Sequence, residues 1–227
     1  MVTSIKDNLE KIREEIGAAA ASCGRLEEDI LLVAVTKTRS IEEIKEAASL
    51  GLTSVGENRV QELAEKRALW PGGDFLQWRL IGHLQRNKAR RALTAAAAID
   101  SLDSPQLAST LSRIAAEEDK TVPVLIEVNT SGEASKHGIA PEKVEEFLEW
   151  VVENCPSLRP EGFMTVGPLG GDEGQVRRSF ALLRSIGEAA RTRTGLALPE
   201  LSMGMSGDFA WAIAEGSTMV RIGSSIF

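Results

Sequence analysis

Short apolar runs alternate along the chain with longer stretches in which apolar residues recur every three or four positions. Leu31–Val35 is wholly apolar and partly β-branched, the composition of a strand buried on both faces of a parallel sheet. Ser40 then precedes a segment over 41–49 in which Ile41, Ile44 and Ala48 share one helical face. Ser40 and Glu43 match a capping box, and Gly51 ends the helix. The alternation recurs: a strand over 53–55 and a helix over 58–69, a strand over 78–81 and a helix over 85–92, a strand over 98–101 and a helix over 105–118. It continues with a strand over 122–128 and a helix over 141–153, then 159–164 with 173–192, then 200–203 with 208–215, and a last strand over 219–222. The pattern predicts eight strands. No Pro/Gly/Ser linker or low-complexity stretch interrupts them, so one α/β domain over 1–227 is expected, a single (β/α)8 TIM barrel with an extra N-terminal helix over 5–21. An open doubly wound sheet is the structural alternative.

Composition narrows the function classes. A net charge of −7, from 26 basic and 33 acidic residues, gives no broad basic field, so neither nucleic acid nor membrane is expected as a partner. Cys23 and Cys155 stand far apart, with no second Cys or His at metal-ligand spacing, so neither zinc nor a disulfide framework is expected. The N-terminus shows a charged helical pattern instead of a basic start and an apolar run, which makes a cytoplasmic address the expectation. A monomer is expected.

Barrel chemistry sits at the carboxyl ends of the strands. The first such position is Thr36-Lys37-Thr38. An ammonium just beyond five apolar strand residues should be partly desolvated, the condition a Schiff-base lysine needs; a lysine whose stem snorkels to solvent fits the same position. After the seventh strand, Ser202-Met-Gly-Met-Ser-Gly-Asp208 leads small residues and hydroxyls into a helix N-terminus. After the eighth, Arg221-Ile-Gly-Ser-Ser225 again offers Gly and two hydroxyls. Each loop alone reads equally as turn glycines and a cap; both together, after strands seven and eight, match the recurrent phosphate site of this fold. An amine and a phosphate anchor on one mouth suit a ligand with both phosphate and aldehyde. Pyridoxal 5′-phosphate (PLP) fits, and so does a sugar phosphate in a class I aldolase, and the residues leave both open.

Four further features face the same mouth. Asn58 either caps a helix or offers its amide to a ligand, and His83 is either a hydrogen-bonded structural residue or a ligand contact. The polar loop over 129–138 reads as a lid or a surface loop, and the cations of Gln85-Arg-Asn-Lys-Ala-Arg-Arg91 as a solvated face or an anion-attracting patch.

Ala34-Val-Thr-Lys-Thr38, Gly56-Glu-Asn-Arg-Val-Gln-Glu62, Ile81-Gly-His-Leu-Gln85, Ser202-Met-Gly-Met-Ser206 and the segment from Val220 to Phe227 together resemble the pyridoxal phosphate homeostasis protein family, related to the barrel domain of alanine racemase. The resemblance runs over essentially the whole chain. It implies that PLP is held as a Schiff base on Lys37, that Ser206, Gly223 and Ser224 hold the phosphate, and that Arg221 faces the pyridine nitrogen. Asn58, His83 and Met203 would line the pocket. A guanidinium can only donate to the ring nitrogen, which weakens the cofactor as an electron sink. A racemase of the related kind uses a tyrosine from a further domain as second base, and this chain contains no tyrosine. The resemblance therefore implies a protein of PLP homeostasis that sequesters the cofactor and delivers it to apo PLP-dependent enzymes. A PLP-dependent racemase or lyase of low activity is the alternative.

Overall fold

The apolar run Leu31–Val35 forms β1. Ser40 and Glu43 form the capping box at the head of α2 (Ile41–Ser49): the Glu43 N–H donates to Ser40 Oγ at 3.2 Å and the Ser40 N–H to Glu43 Oε2 at 2.7 Å. The computed structural model describes residues 4–73, 75–133 and 136–227. The remaining strands are β2 (Ser54–Glu57), β3 (Gln77–Leu80), β4 (Ala98–Leu102), β5 (Val122–Glu127), β6 (Leu158–Met164), β7 (Glu200–Ser202) and β8 (Met219–Ile222). The remaining helices are α1 (Ile5–Ser22), α3 (Val60–Leu69), α4 (Ala89–Ala95), α5 (Pro105–Glu117), α6 (Val144–Asn154), α7 (Glu173–Thr194) and α8 (Phe209–Ala214).

Each strand pairs in parallel with the next, and β8 returns to β1 with Leu31 opposite Met219 and Ala34 opposite Ile222. That last pairing closes the barrel and rules out the open sheet. The leading helix α1 packs against α2 and α8. Of the described helices, none is long and apolar enough to cross a membrane.

Two apolar compartments follow from the pleat. Outward strand residues and the inner faces of the helices form the main core, in which Ala34, Ile44, Val55, Leu63 and Ile222 are fully buried. Inward residues of four strands, Val33, Leu125, Met164 and Met219, form a separate cluster in the lumen. Above it the lumen turns polar. Arg79 sits level with Gly56 across β2 and β3, and its fork meets the Asp100 carboxylate through two 2.8 Å bonds, Nε to Oδ2 and Nη2 to Oδ1.

Three helices, α3, α4 and α6, start well after the sequence expectation. α3 begins at Val60, because β2 runs on to Glu57 and Arg59, with extended φ of −123°, takes the cap position; Asn58 therefore caps nothing. α4 and α6 begin at Ala89 and Val144, each after one tight turn of 3-10 helix, Arg86–Lys88 and Pro141–Lys143. Residues 134 and 135 of the loop expected over 129–138 lie outside the described residues.

Candidate functional site

Lys37 follows β1 in the strand's inward phase, in a turn closed by the Arg39 N–H donating to the Thr36 carbonyl at 2.9 Å. It is exposed at the mouth, so the desolvation expected for it does not occur: the strand's apolar cover ends at Thr36. Thr38 holds a left-handed φ of 65°, a strained conformation for a non-glycine residue. What fixes it is a neighbouring cluster. Its N–H donates to Glu62 Oε1 at 2.5 Å, and the Lys66 ammonium donates to Glu62 Oε1 at 2.7 Å, to Glu57 Oε1 at 2.7 Å and to the Thr36 carbonyl at 2.6 Å. Thr36 completes the ring, its hydroxyl donating to Glu57 Oε1 at 2.6 Å.

The lysine that is buried is thus Lys66, on α3, wedged between barrel wall and helix. Burial pushes the Glu57 carboxyl above its usual range, against the opposing pull of Lys66 and Thr36. Burial also raises Glu62, but there the bonds from Lys66 and the Thr38 N–H win and hold it low. The cluster clamps both residues that flank Lys37, whose side chain is exposed beside it.

Across the mouth stand the β7 and β8 loops. Gly204 takes a φ of 98°, and a Cβ there would lie 2.6 Å from the Ala212 Cβ, so only glycine lets the loop fold down onto α8. Met205 donates its N–H to Asp208 Oδ1 at 2.6 Å, which turns the loop before α8 begins. The Ser206 and Ser224 hydroxyls meet at 3.4 Å. The N–H groups of Ser206, Gly207, Gly223 and Ser224 donate to no backbone carbonyl among the described residues. Free backbone donors beside two hydroxyls form an anion cradle. The six-residue α8 contributes less than the sequence suggested: its first N–H, on Phe209, already donates to the Met205 carbonyl at 2.9 Å. Gly223 carries the second close approach. A Cβ there would lie 3.0 Å from the Val35 carbonyl oxygen, so the cradle abuts the strand end that bears Lys37.

The barrel lumen is also charged. Arg221 is buried, donating from Nη1 to Ser202 Oγ and from Nη2 to the Thr165 carbonyl, both at 2.7 Å. Burial lowers its pKa, countered by Asp100, Glu127 and Asp208. Glu127, at the end of β5, is raised to about 7 by burial and by the Asp103 charge, with Arg221 opposing. Its Oε2 has no hydrogen-bond partner among the described residues.

On the rim, Asn58 is exposed, and His83 Nδ1 lies 2.9 Å from Asp103 Oδ2. Met203 is fully buried in the main core beneath the β7 loop. Of the cations over 85–91, Arg90 pairs with Glu117 and Glu118 and Arg91 donates to Gln61, whereas Arg86 and Lys88 line cavities that His83 also lines. The structure thus gathers Lys37, Ser206, Gly223, Ser224 and Arg221 at one mouth, with Asn58 and His83 on the β2–β3 rim. Glu57, Lys66, Glu127 and Asp103 were not singled out from the sequence. Glu127 carried a signal in being an acid at the end of the apolar run Val122–Ile126.

These features define an alanine-racemase-type barrel: the family model described as "Alanine racemase, N-terminal domain" matches residues 3–227. The pyridoxal phosphate homeostasis protein of Aquifex aeolicus is 38% identical over 221 residues, spanning 97% of this chain and 96% of the relative. That of Escherichia coli K12 is 38% identical over 230 residues, spanning 100% of this chain and 97% of the relative. This chain belongs to the pyridoxal phosphate homeostasis protein family. The structure of PipY from Synechococcus elongatus with PLP bound matches at a TM-score of 0.87 and 32% identity, covering 99% of this chain and 100% of that one. An alanine racemase from Clostridium difficile, 19% identical, shares the fold at a TM-score of 0.76 over 56% of its length.

Proposed function

We propose that this chain binds PLP at the barrel mouth, with the Lys37 amine as covalent anchor, and that it holds the cofactor for intracellular PLP homeostasis. One observation carries the reading: the anion cradle packs directly against the strand end that presents the lysine, Gly223 backbone against Val35. The residues present fit the cofactor, since uncommitted N–H groups and two hydroxyls suit a phosphate and an exposed amine suits an aldehyde.

When bound, PLP supplies an aldehyde that condenses reversibly with amines. Lys37 would supply the amine for that aldehyde, and Thr36 and Thr38, clamped by Lys66 and Glu62, set its direction. Ser206, Gly223 and Ser224 hold the phosphate. Arg221, pinned by Ser202 and Thr165, presents only donors to the ring nitrogen and does not support a ring protonated there. Asn58 and His83 close the rim, and Met203 packs beneath the cradle. This donor-only floor favours reversible holding over carbanion chemistry, and apo PLP-dependent enzymes are the natural recipients.

The His83–Asp103 pair favours a second reading, because a carboxylate beside an imidazole is also how an enzyme orients a base. Loading the protein with PLP and following exchange of amino-acid α-hydrogens in deuterated water separates the two. The holding role predicts no exchange above that of free PLP, together with transfer of cofactor to an apo-enzyme. Rapid exchange at one amino acid, lost in His83→Gln, would establish the racemase or lyase reading instead.

A further inference from the structure

We propose that the mouth also carries a site for a divalent transition-metal cation of the zinc class, built from His83, Asp103 and His137. The chain has only two histidines, and the fold brings both together from separate loops, His83 after β3 and His137 between β5 and α6. Their rings stack with centroids 3.7 Å apart and planes within 9°. Asp103, from the loop after β4, sets Oδ2 2.9 Å from His83 Nδ1. One ligand atom from each of the three residues lies within 4.8 Å of the other two.

Nitrogen and oxygen ligands sit about 2.0–2.2 Å from a bound zinc ion, so a tetrahedral shell places them roughly 3.3 Å from one another. Both imidazoles are exposed, and Asp103 is half-buried, so ring rotation on the surface closes that gap without disturbing the core. A cavity of about 520 Å³ lined by His83 and Asp103 opens beside the cluster and leaves room for water as a further ligand. Two imidazoles and one carboxylate are the donor set of borderline cations such as zinc, cobalt and nickel, whereas magnesium and calcium prefer all-oxygen shells. A cation here ties the β5–α6 loop to the ends of β3 and β4. None of the three residues belongs to the amine or to the phosphate cradle, although His83 also lines the rim.

The test uses tag-free protein freed of metal by a chelator, with zinc titrated by calorimetry and cobalt(II) followed by its visible absorption. The Lys37→Ala variant serves as host, so that cofactor chemistry plays no part in the result. One equivalent should bind, and each of His83→Gln, Asp103→Asn and His137→Gln should weaken binding at least tenfold with the thermal melt unchanged. The cobalt spectrum should lose its tetrahedral intensity in His137→Gln. Absence of saturable binding, or one equivalent bound with the same affinity in all three variants, overturns the proposal.

Discussion

Lys37 and Lys66 lie on opposite sides of one strand end and do opposite work. Lys37 is exposed in the inward phase of β1, while Lys66 reaches from α3 into the barrel wall, nine-tenths buried, and meets two carboxylates and a carbonyl. The difference teaches that local sequence does not decide which lysine loses its water. Five apolar residues and Thr36 precede Lys37, yet its side chain is exposed; Lys66 shares the buried face of α3 with Val60 and Leu63 and is the one enclosed. Lys66 fixes the turn, and Lys37, exposed beside it, is the lysine proposed to take the cofactor.

The largest effect should come from removing the structural partner. Lys66→Ala leaves Glu57 buried without its counter-ion and should cost about 3–5 kcal/mol in denaturant unfolding. A variant with native stability would dissolve the distinction between the two lysines. By contrast, Lys37→Ala should leave unfolding within about 0.5 kcal/mol of the parent, as expected for an exposed side chain.

Glu127 sharpens the comparison, as a buried charge with no hydrogen-bond partner on Oε2 among the described residues. Its carboxyl is raised from 4.5 to about 7, so its protonated form favours the folded state. That contribution is complete below pH 4.5 and is lost as pH rises through about 7. Glu127→Gln keeps the shape and never ionises. The variant should match the parent below pH 4.5 and exceed it above pH 7, by on the order of 3 kcal/mol. Unfolding curves at the two ends of that range check the sign, and a gain at low pH instead would contradict it.

The smallest effect concerns the cradle. Ser224→Ala removes one of the two hydroxyls from the proposed cradle and leaves Ser206 and the backbone N–H groups, so PLP affinity should fall about fivefold, near 1 kcal/mol, by fluorescence titration. Inorganic phosphate should compete for the same site in the parent.

Local signals in the sequence were legible where the physics is local. The Ser40–Glu43 box and the apolar strand runs appear as read, because each depends on residues within a few positions. The closed barrel was legible from repetition alone. The burial order of the lysines was not, since it depends on how far α3 reaches over β2, and the early extension of β2 to Glu57 also displaced Asn58 from its cap. The pairing of His83 with His137 depends on where the β5–α6 loop lies, and no periodic pattern encodes that.

The central claim is that Lys37 is the residue that takes the cofactor covalently. It is tested most directly by loading the purified protein with PLP, reducing with borohydride and locating the modified residue by peptide mass spectrometry. One modification on Lys37, absent from the Lys37→Ala variant while that variant melts as the parent does, is the expected result. Modification of Lys66 or of another lysine in preference to Lys37, or none at all at saturating PLP, would contradict the account.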